Sequence, residues 1–115
     1  GKPRELLRQI ICGKLRLILS SDQLEEIIRV LNYPRFSFTN YQKNNVISLI
    51  ITIAELVEIN NNLKMTRDRT DNKIIESALE GKADFIITGD KDLLVLKKYA
   101  NIIIVKANDF INNCQ

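Results

Sequence analysis

Two groups of carboxylates carry the chemistry open to this chain. Asp90 and Asp92 follow a short apolar run in ADFIITGDKDLLVL, residues 83–96, and Asp68 and Asp71 stand in a polar stretch just ahead of the helical pattern Ile74, Ile75, Ala78, Leu79. Ala83, Phe85, Ile86 and Ile87 suit a parallel strand covered on both faces, and Gly89 breaks the run. Asp90 and Asp92 therefore fall just past the carboxyl end of a strand, where ligand sites gather in open α/β sheets. A plainer role is also open to them, since aspartates cap helices and soften turns. Asp71 lies three, four and seven residues before Ile74, Ile75 and Ala78 and so continues that helix's inward stripe toward the sheet. Carboxylates converging on one sheet edge repel unless a cation neutralises them, and an oxygen-rich set suits Mg²⁺ or Mn²⁺. Phosphodiester hydrolysis fits such a set and needs no histidine. Asp71 and Asp90 are then expected about 4–6 Å apart.

Composition narrows the alternatives. The 115 residues contain no histidine, which removes imidazole acid/base chemistry and zinc sites of the usual mixed type. A net charge of +3 is compatible with an acidic partner such as nucleic acid and equally with an ordinary soluble protein. Cys12 and Cys114 are too far apart in sequence for a redox motif, and two reduced thiols in a cytoplasmic protein are the default. The longest apolar run, VISLIITIAELV, is interrupted by Ser48, Thr52 and Glu55, so no membrane span is expected, and no export leader is recognisable. The length suits one domain spanning residues 1–115.

The elements that must position the carboxylates alternate. PRELLRQIICGK predicts a helix ended by Gly13, and Leu15 to Leu19 a strand. Ser20 with Gln23 forms a capping box ahead of a second helix whose stripe is Leu24, Ile27, Ile28 and Leu31, ending near Tyr33-Pro34. A third helix is expected from Asn40 to about Ile59, although Val46 to Ile53 is β-branched enough for a strand. The fourth helix runs through Ile74 to Leu79 and stops at Gly81; a strand at 84–88, a helical turn over Leu93 to Tyr99, a strand at 101–105 and a terminal helical turn follow. Short connections between alternating helices and strands predict a three-layer α/β domain with a parallel sheet.

With these elements in place, DRTDNKIIESALEGKADFIITGDKDLL resembles the carboxyl-terminal motif pair of PIN domains, in the branch of toxin components of toxin-antitoxin systems. The earlier GKPRELLRQIICGKLRLILSSDQLEEIIRVLNYPRF is similar to the same branch's first helix, second strand and second helix, so the resemblance covers almost the whole chain. It implies a metal-dependent ribonuclease that hydrolyses single-stranded RNA. In that scheme Asp71 and Asp90 are catalytic and metal-binding, Asp92 assists through water, and Thr88 and Asp68 support them. The family's mid-chain glutamate falls in LEEI and favours Glu26 over Glu25 as a further catalytic and metal ligand, whereas periodicity turns Glu26 away from the stripe of Leu24, Ile27 and Ile28.

The resemblance also implies a departure. The family opens with a strand ending in aspartate at the centre of its sheet, and the chain opens at Gly1-Lys2-Pro3, a point that corresponds to the far side of that strand. The expectation is a PIN-like domain truncated at its N-terminus, lacking the first, central strand and its aspartate, with two buried-type strand edges left unpaired. A gene shortened at its front, a decayed family member, or a partner chain filling the gap would each account for it, and oligomerisation follows as an expectation. Catalysis is then expected to be impaired, and the alternative is a non-catalytic remnant acting as a binding or structural domain. Thr-Gly-Asp also occurs in haloacid-type phosphatases, but no nucleophilic aspartate follows an early strand here.

A nuclease must also hold a backbone, and Arg67, Arg69 and Lys91 flank the aspartates as candidate nucleic-acid contacts. YPRFSFTNY gathers four of the chain's few aromatics, either to stack on single-stranded bases or to pack against the core or an antitoxin.

Overall fold

A computed structural model describes residues 2–60, 62–64 and 67–113; Gly1 and Cys114 lie outside the described residues. Helix α1 (Lys2–Ile11) leads through Gly13, whose φ of +85° only glycine adopts without strain, into strand β1 (Leu17–Ser20). The strand begins later than the sequence pattern predicts because the N–H groups of Lys14 and Leu15 still donate to the Gln9 carbonyl at 2.9 and 3.3 Å, holding the chain in the turn that ends α1. Helix α2 (Ser21–Leu31) opens on the expected capping box: Ser20 Oγ accepts from the Gln23 N–H at 3.1 Å and the Ser20 N–H donates to Gln23 Oε1 at 2.8 Å. A 3₁₀ turn at Pro34–Phe36 and a second capping box, Thr39 with Gln42, lead into α3 (Asn40–Ile53).

The expected helix to Ile59 is corrected here. It stops at Ile53, and Ala54–Val57 form strand β2, parallel to β1 with Leu17 opposite Ala54 and Ser20 opposite Val57. Local pattern allows the helix to continue; a ladder with β1, reinforced by Arg16 donating to both oxygens of Glu55 at 2.6 and 3.0 Å, holds the chain extended instead. Helix α4 (Arg69–Glu80), strand β3 (Phe85–Ile87), the single turn α5 (Lys91–Leu94), strands β4 (Lys98–Tyr99) and β5 (Ile102–Val105), and α6 (Ala107–Asn113) complete the order. The helical turn expected over Leu93 to Tyr99 is displaced as well. Asp90 caps the N–H groups of Asp92 and Leu93 and starts the turn early, while left-handed Lys97 and Ala100 bend the chain so that β4 pairs antiparallel with β5.

The strands form two sheets, β1-β2 and β3-β5-β4, with β3 parallel to β5. Strand alternation assigns the layers. Ile86 joins Ile75 and Ala78 of α4 in the buried cluster with Leu93, Ile102 and Ile104, whereas the next residue along the strand, Phe85, meets the ring of Phe110 on α6 edge-on at 4.8 Å. Helix α4 thus covers one face of β3 and α6, packed against α1, covers the other. This is the three-layer α/β arrangement.

Helix α4 also packs on β1 and so bridges the two sheets. Its last turn approaches so closely that a Cβ on Gly81 would lie 2.4 Å from Ile18 Cγ2. Among the described residues no strand lies between β1 and β3. A slot of about 450 Å³ separates them, lined by Leu17, Ile18 and Leu19 on one side and Phe85, Ile86 and Ile87 on the other.

Candidate metal centre

Two helix starts build the site. Asp68 is the N-cap of α4 and accepts from the Thr70 N–H at 2.8 Å, so its carboxylate is fixed at the amino-terminal end of the helix. Asp71 stands three residues on, one turn along the face that carries Ile75 and Ala78, and that face is turned inward: Asp71 is only 2% exposed. The second start follows β3. Thr88 leaves the strand with its N–H bonded to the Val105 carbonyl at 3.0 Å, and its Oγ1 accepts the Asp90 N–H at 3.0 Å. Asp90 in turn caps α5, its Oδ1 accepting from the N–H groups of Asp92 at 2.8 Å and Leu93 at 3.3 Å. The capping role and a ligand role do not exclude each other here, because the cap occupies one carboxylate oxygen and orients the other.

One carboxylate oxygen from each of Asp68, Asp71 and Asp90 lies within 4.8 Å of the others. Burial of Asp71, followed by the charge of Asp90 and then of Asp68, pushes its carboxyl up from the ordinary 3.8 to about 6, with Asp92 adding further repulsion. Asp71 Oδ2 is buried with no hydrogen-bond partner among the described residues. A buried, unpartnered carboxylate oxygen facing two further carboxylates is a donor set that lacks positive charge, and a hard divalent cation supplies it. The residues present therefore fit an oxygen-coordinated ion, and the group could hold a metal.

The other sequence candidates fall around this cluster or outside it. Asp92 is close enough for its charge to act on Asp71. Arg67, Arg69 and Lys91 are exposed beside the acidic residues in sequence. Glu25 and Glu26 are both exposed on α2, and neither belongs to the group of converging carboxylates. A contact that sequence patterns do not reveal joins α2 to the site region: Lys73 of α4 pairs with Asp22 in the first turn of α2 at 2.9 Å. Asp68 also stands nearer the centre than a supporting role suggests. Its three-residue spacing from Asp71 across a helix start was the available signal, since those positions share one side of the first turn.

The family model described as PIN domain matches residues 1–92. An uncharacterized protein of Methanocaldococcus jannaschii is similar, with 32% identity over 108 residues that cover 89% of this chain and 69% of the relative. No solved structure matches the chain. No helix among the described residues is long and apolar enough to cross a membrane.

Proposed function

The chain belongs to the PIN domain family, and on that premise we propose that it is a divalent-metal-dependent ribonuclease of the toxin-antitoxin type, acting on single-stranded RNA. The convergence of Asp68, Asp71 and Asp90 around an unpartnered buried oxygen is the observation that carries the proposal. Asp71 and Asp90, with Asp68 beside them, would hold Mg²⁺ or Mn²⁺, which would supply charge to lower the pKa of a water and to offset negative charge growing on the phosphate. Asp90 is kept in place by the helix turn it caps and by Thr88, so its second oxygen presents a fixed geometry. Asp92 orients water at the rim. Arg67, Arg69 and Lys91 draw the flanking phosphates to the acidic edge, which would otherwise repel them. Glu26, exposed on α2 and outside the converging carboxylates, is a further ligand on the family resemblance alone.

The slot between β1 and β3 bears on activity. Its apolar walls and two unpaired parallel edges suit one further apolar strand, and such a strand would fix the separation of the helices bearing the aspartates. We propose that the 115 residues alone cleave poorly and that a strand in the slot restores cleavage, because a displacement of about 1 Å at a reacting centre costs on the order of a hundredfold. A partner protein is supported by α3, none of whose residues is buried and which exposes Val46, Leu49 and Ile51; an antitoxin is the occupant proposed for that face.

The open slot also favours a second function, a non-catalytic PIN-like domain that binds without turnover. Side-by-side cleavage of a single-stranded RNA by the 115-residue chain and by the same chain preceded by a slot-filling strand separates the two. The nuclease assignment expects Mg²⁺- or Mn²⁺-dependent cleavage by the longer chain, abolished by chelator and by Asp90→Asn. A longer chain that is folded and still inert assigns the domain to binding.

A further inference from the structure

The segment joining α2 to α3 holds an organised aromatic surface on the outside of the molecule. Tyr33 and Phe36 stack at 6.2 Å between centroids and 12° between planes, and Phe36 and Phe38 at 5.6 Å and 23°. The rings pack on one another and leave the core without them: Tyr33, Phe36 and Phe38 are 39%, 41% and 40% exposed. None of the three rings belongs to the buried core cluster or to the apolar residues packed against it. The Arg35 guanidinium lies across the stack, 5.6 Å from the Tyr33 centroid and 4.9 Å from that of Phe36.

The surface is also held still. The Tyr33 N–H donates to the Val30 carbonyl, the Ser37 N–H to the Pro34 carbonyl, and the Lys43 ammonium to Asn32 Oδ1 at 2.9 Å, tying the end of α2 to the start of α3. Charge selects the partner. From residue 27 to residue 54 there is no aspartate or glutamate, whereas Arg29, Arg35 and Lys43 all fall in this stretch of a chain that has 14 acidic residues in total. An exposed ring stack in an all-basic segment complements a partner with flat faces and negative charge. Single-stranded nucleic acid has both along its whole length.

We propose that Tyr33, Phe36 and Phe38, with Arg35, form a stacking platform for the bases of single-stranded RNA. The proposal rests on the ribonuclease assignment and adds where the substrate is held away from the acidic edge. Helix α2 spans 11 residues, about 16 Å, and its first turn is tied to α4 through Asp22 and Lys73. The platform thus stands at the far end of a helix whose first turn is tied to α4, the helix that carries Asp71. A strand bound across both contacts bases at one end and offers phosphates at the other.

The test is fluorescence anisotropy in chelator, so that no cleavage occurs, comparing a labelled short oligoadenylate with an abasic strand of equal length and charge. Stacking contributes about 1–3 kcal/mol per base, so the protein is expected to prefer the oligoadenylate by roughly tenfold or more. Phe36→Ala/Phe38→Ala should bind both strands alike, and Phe38→Tyr, which keeps the ring, should retain the preference; circular dichroism checks that each variant folds. Equal binding of the two strands by the unaltered protein, or an unchanged preference in the double variant, overturns the platform. If losing the rings instead alters self-association in sedimentation while RNA affinity holds, the surface is a protein interface and the proposal is equally overturned. Active cleavage without base preference rejects only the platform. Base preference in a protein whose strand-extended form folds and cleaves in no metal rejects the nuclease assignment and leaves the platform standing.

Discussion

Asp71 and Asp90, one in the first turn of a helix and the other at the end of a strand, bring their carboxyl groups together in a place where Asp71 is almost wholly buried. Burial first, and the Asp90 charge second, raise the Asp71 pKa to about 6. Because the folded value lies above the unfolded one, the folded chain holds the Asp71 proton more tightly. The stabilisation is complete below about pH 3.8 and is lost as pH rises through about 6, a swing of about 3 kcal/mol.

The metal-free protein should therefore lose stability between about pH 4 and about pH 6 by an amount that Asp71→Asn abolishes. Thermal melts of both proteins across that range, in chelator, measure the difference. Parallel pH profiles for the two would contradict the assignment of the shift to Asp71.

Mg²⁺ or Mn²⁺ should raise the melting temperature above about pH 6, where Asp71 is ionised, and act weakly near pH 5, where a proton competes for the carboxylate. Asp71→Asn and Asp90→Asn should each remove most of this gain. Calorimetric titration with Mn²⁺ reads the same loss as weaker binding, and a full response in either variant would place the ion elsewhere.

Gly81→Ala should destabilise the fold by about 1–3 kcal/mol, since the new methyl meets Ile18 at 2.4 Å where α4 crosses β1. Combined with Ile18→Ala, its cost should fall well below the sum of the single changes. Chemical denaturation of the four proteins closes that cycle, and strict additivity would show that the two residues do not meet.

Ser20→Ala should cost about 1 kcal/mol, with an upper end near 2, because the hydroxyl that caps α2 is fully buried and no water replaces it. Ser20→Thr retains the oxygen and separates the loss of the cap from crowding at the end of β1. Urea denaturation of the two variants distinguishes them, and a neutral Ser20→Ala would leave the cap without energetic weight.

Local signals along the chain were enough for much of the architecture. The Ser20 and Gln23 capping box, the stop at Gly81, the apolar runs of β3 and β5 and the inward stripe that ends in Asp71 are all set by neighbours a few residues away, and periodicity reports such neighbours directly. The resemblance carried by DRTDNK and TGDKD identified the family for the same reason, since each motif is a contiguous stretch at a helix or strand end.

What tertiary structure decided lies where distant residues compete with local preference. Whether residues 54–57 continue a helix or form a strand depends on β1, which lies 37 residues away in register, and no local pattern contains that partner. Likewise Asp68 and Asp90 belong to different helix starts, and only the packing of α4 and the β3–α5 turn against one buried cluster brings their oxygens within 4.8 Å. The surface position of the Tyr33, Phe36 and Phe38 rings was of the same kind. Aromatic composition allows burial or exposure equally, and the path of the chain between two capped helices turned the rings outward onto one another.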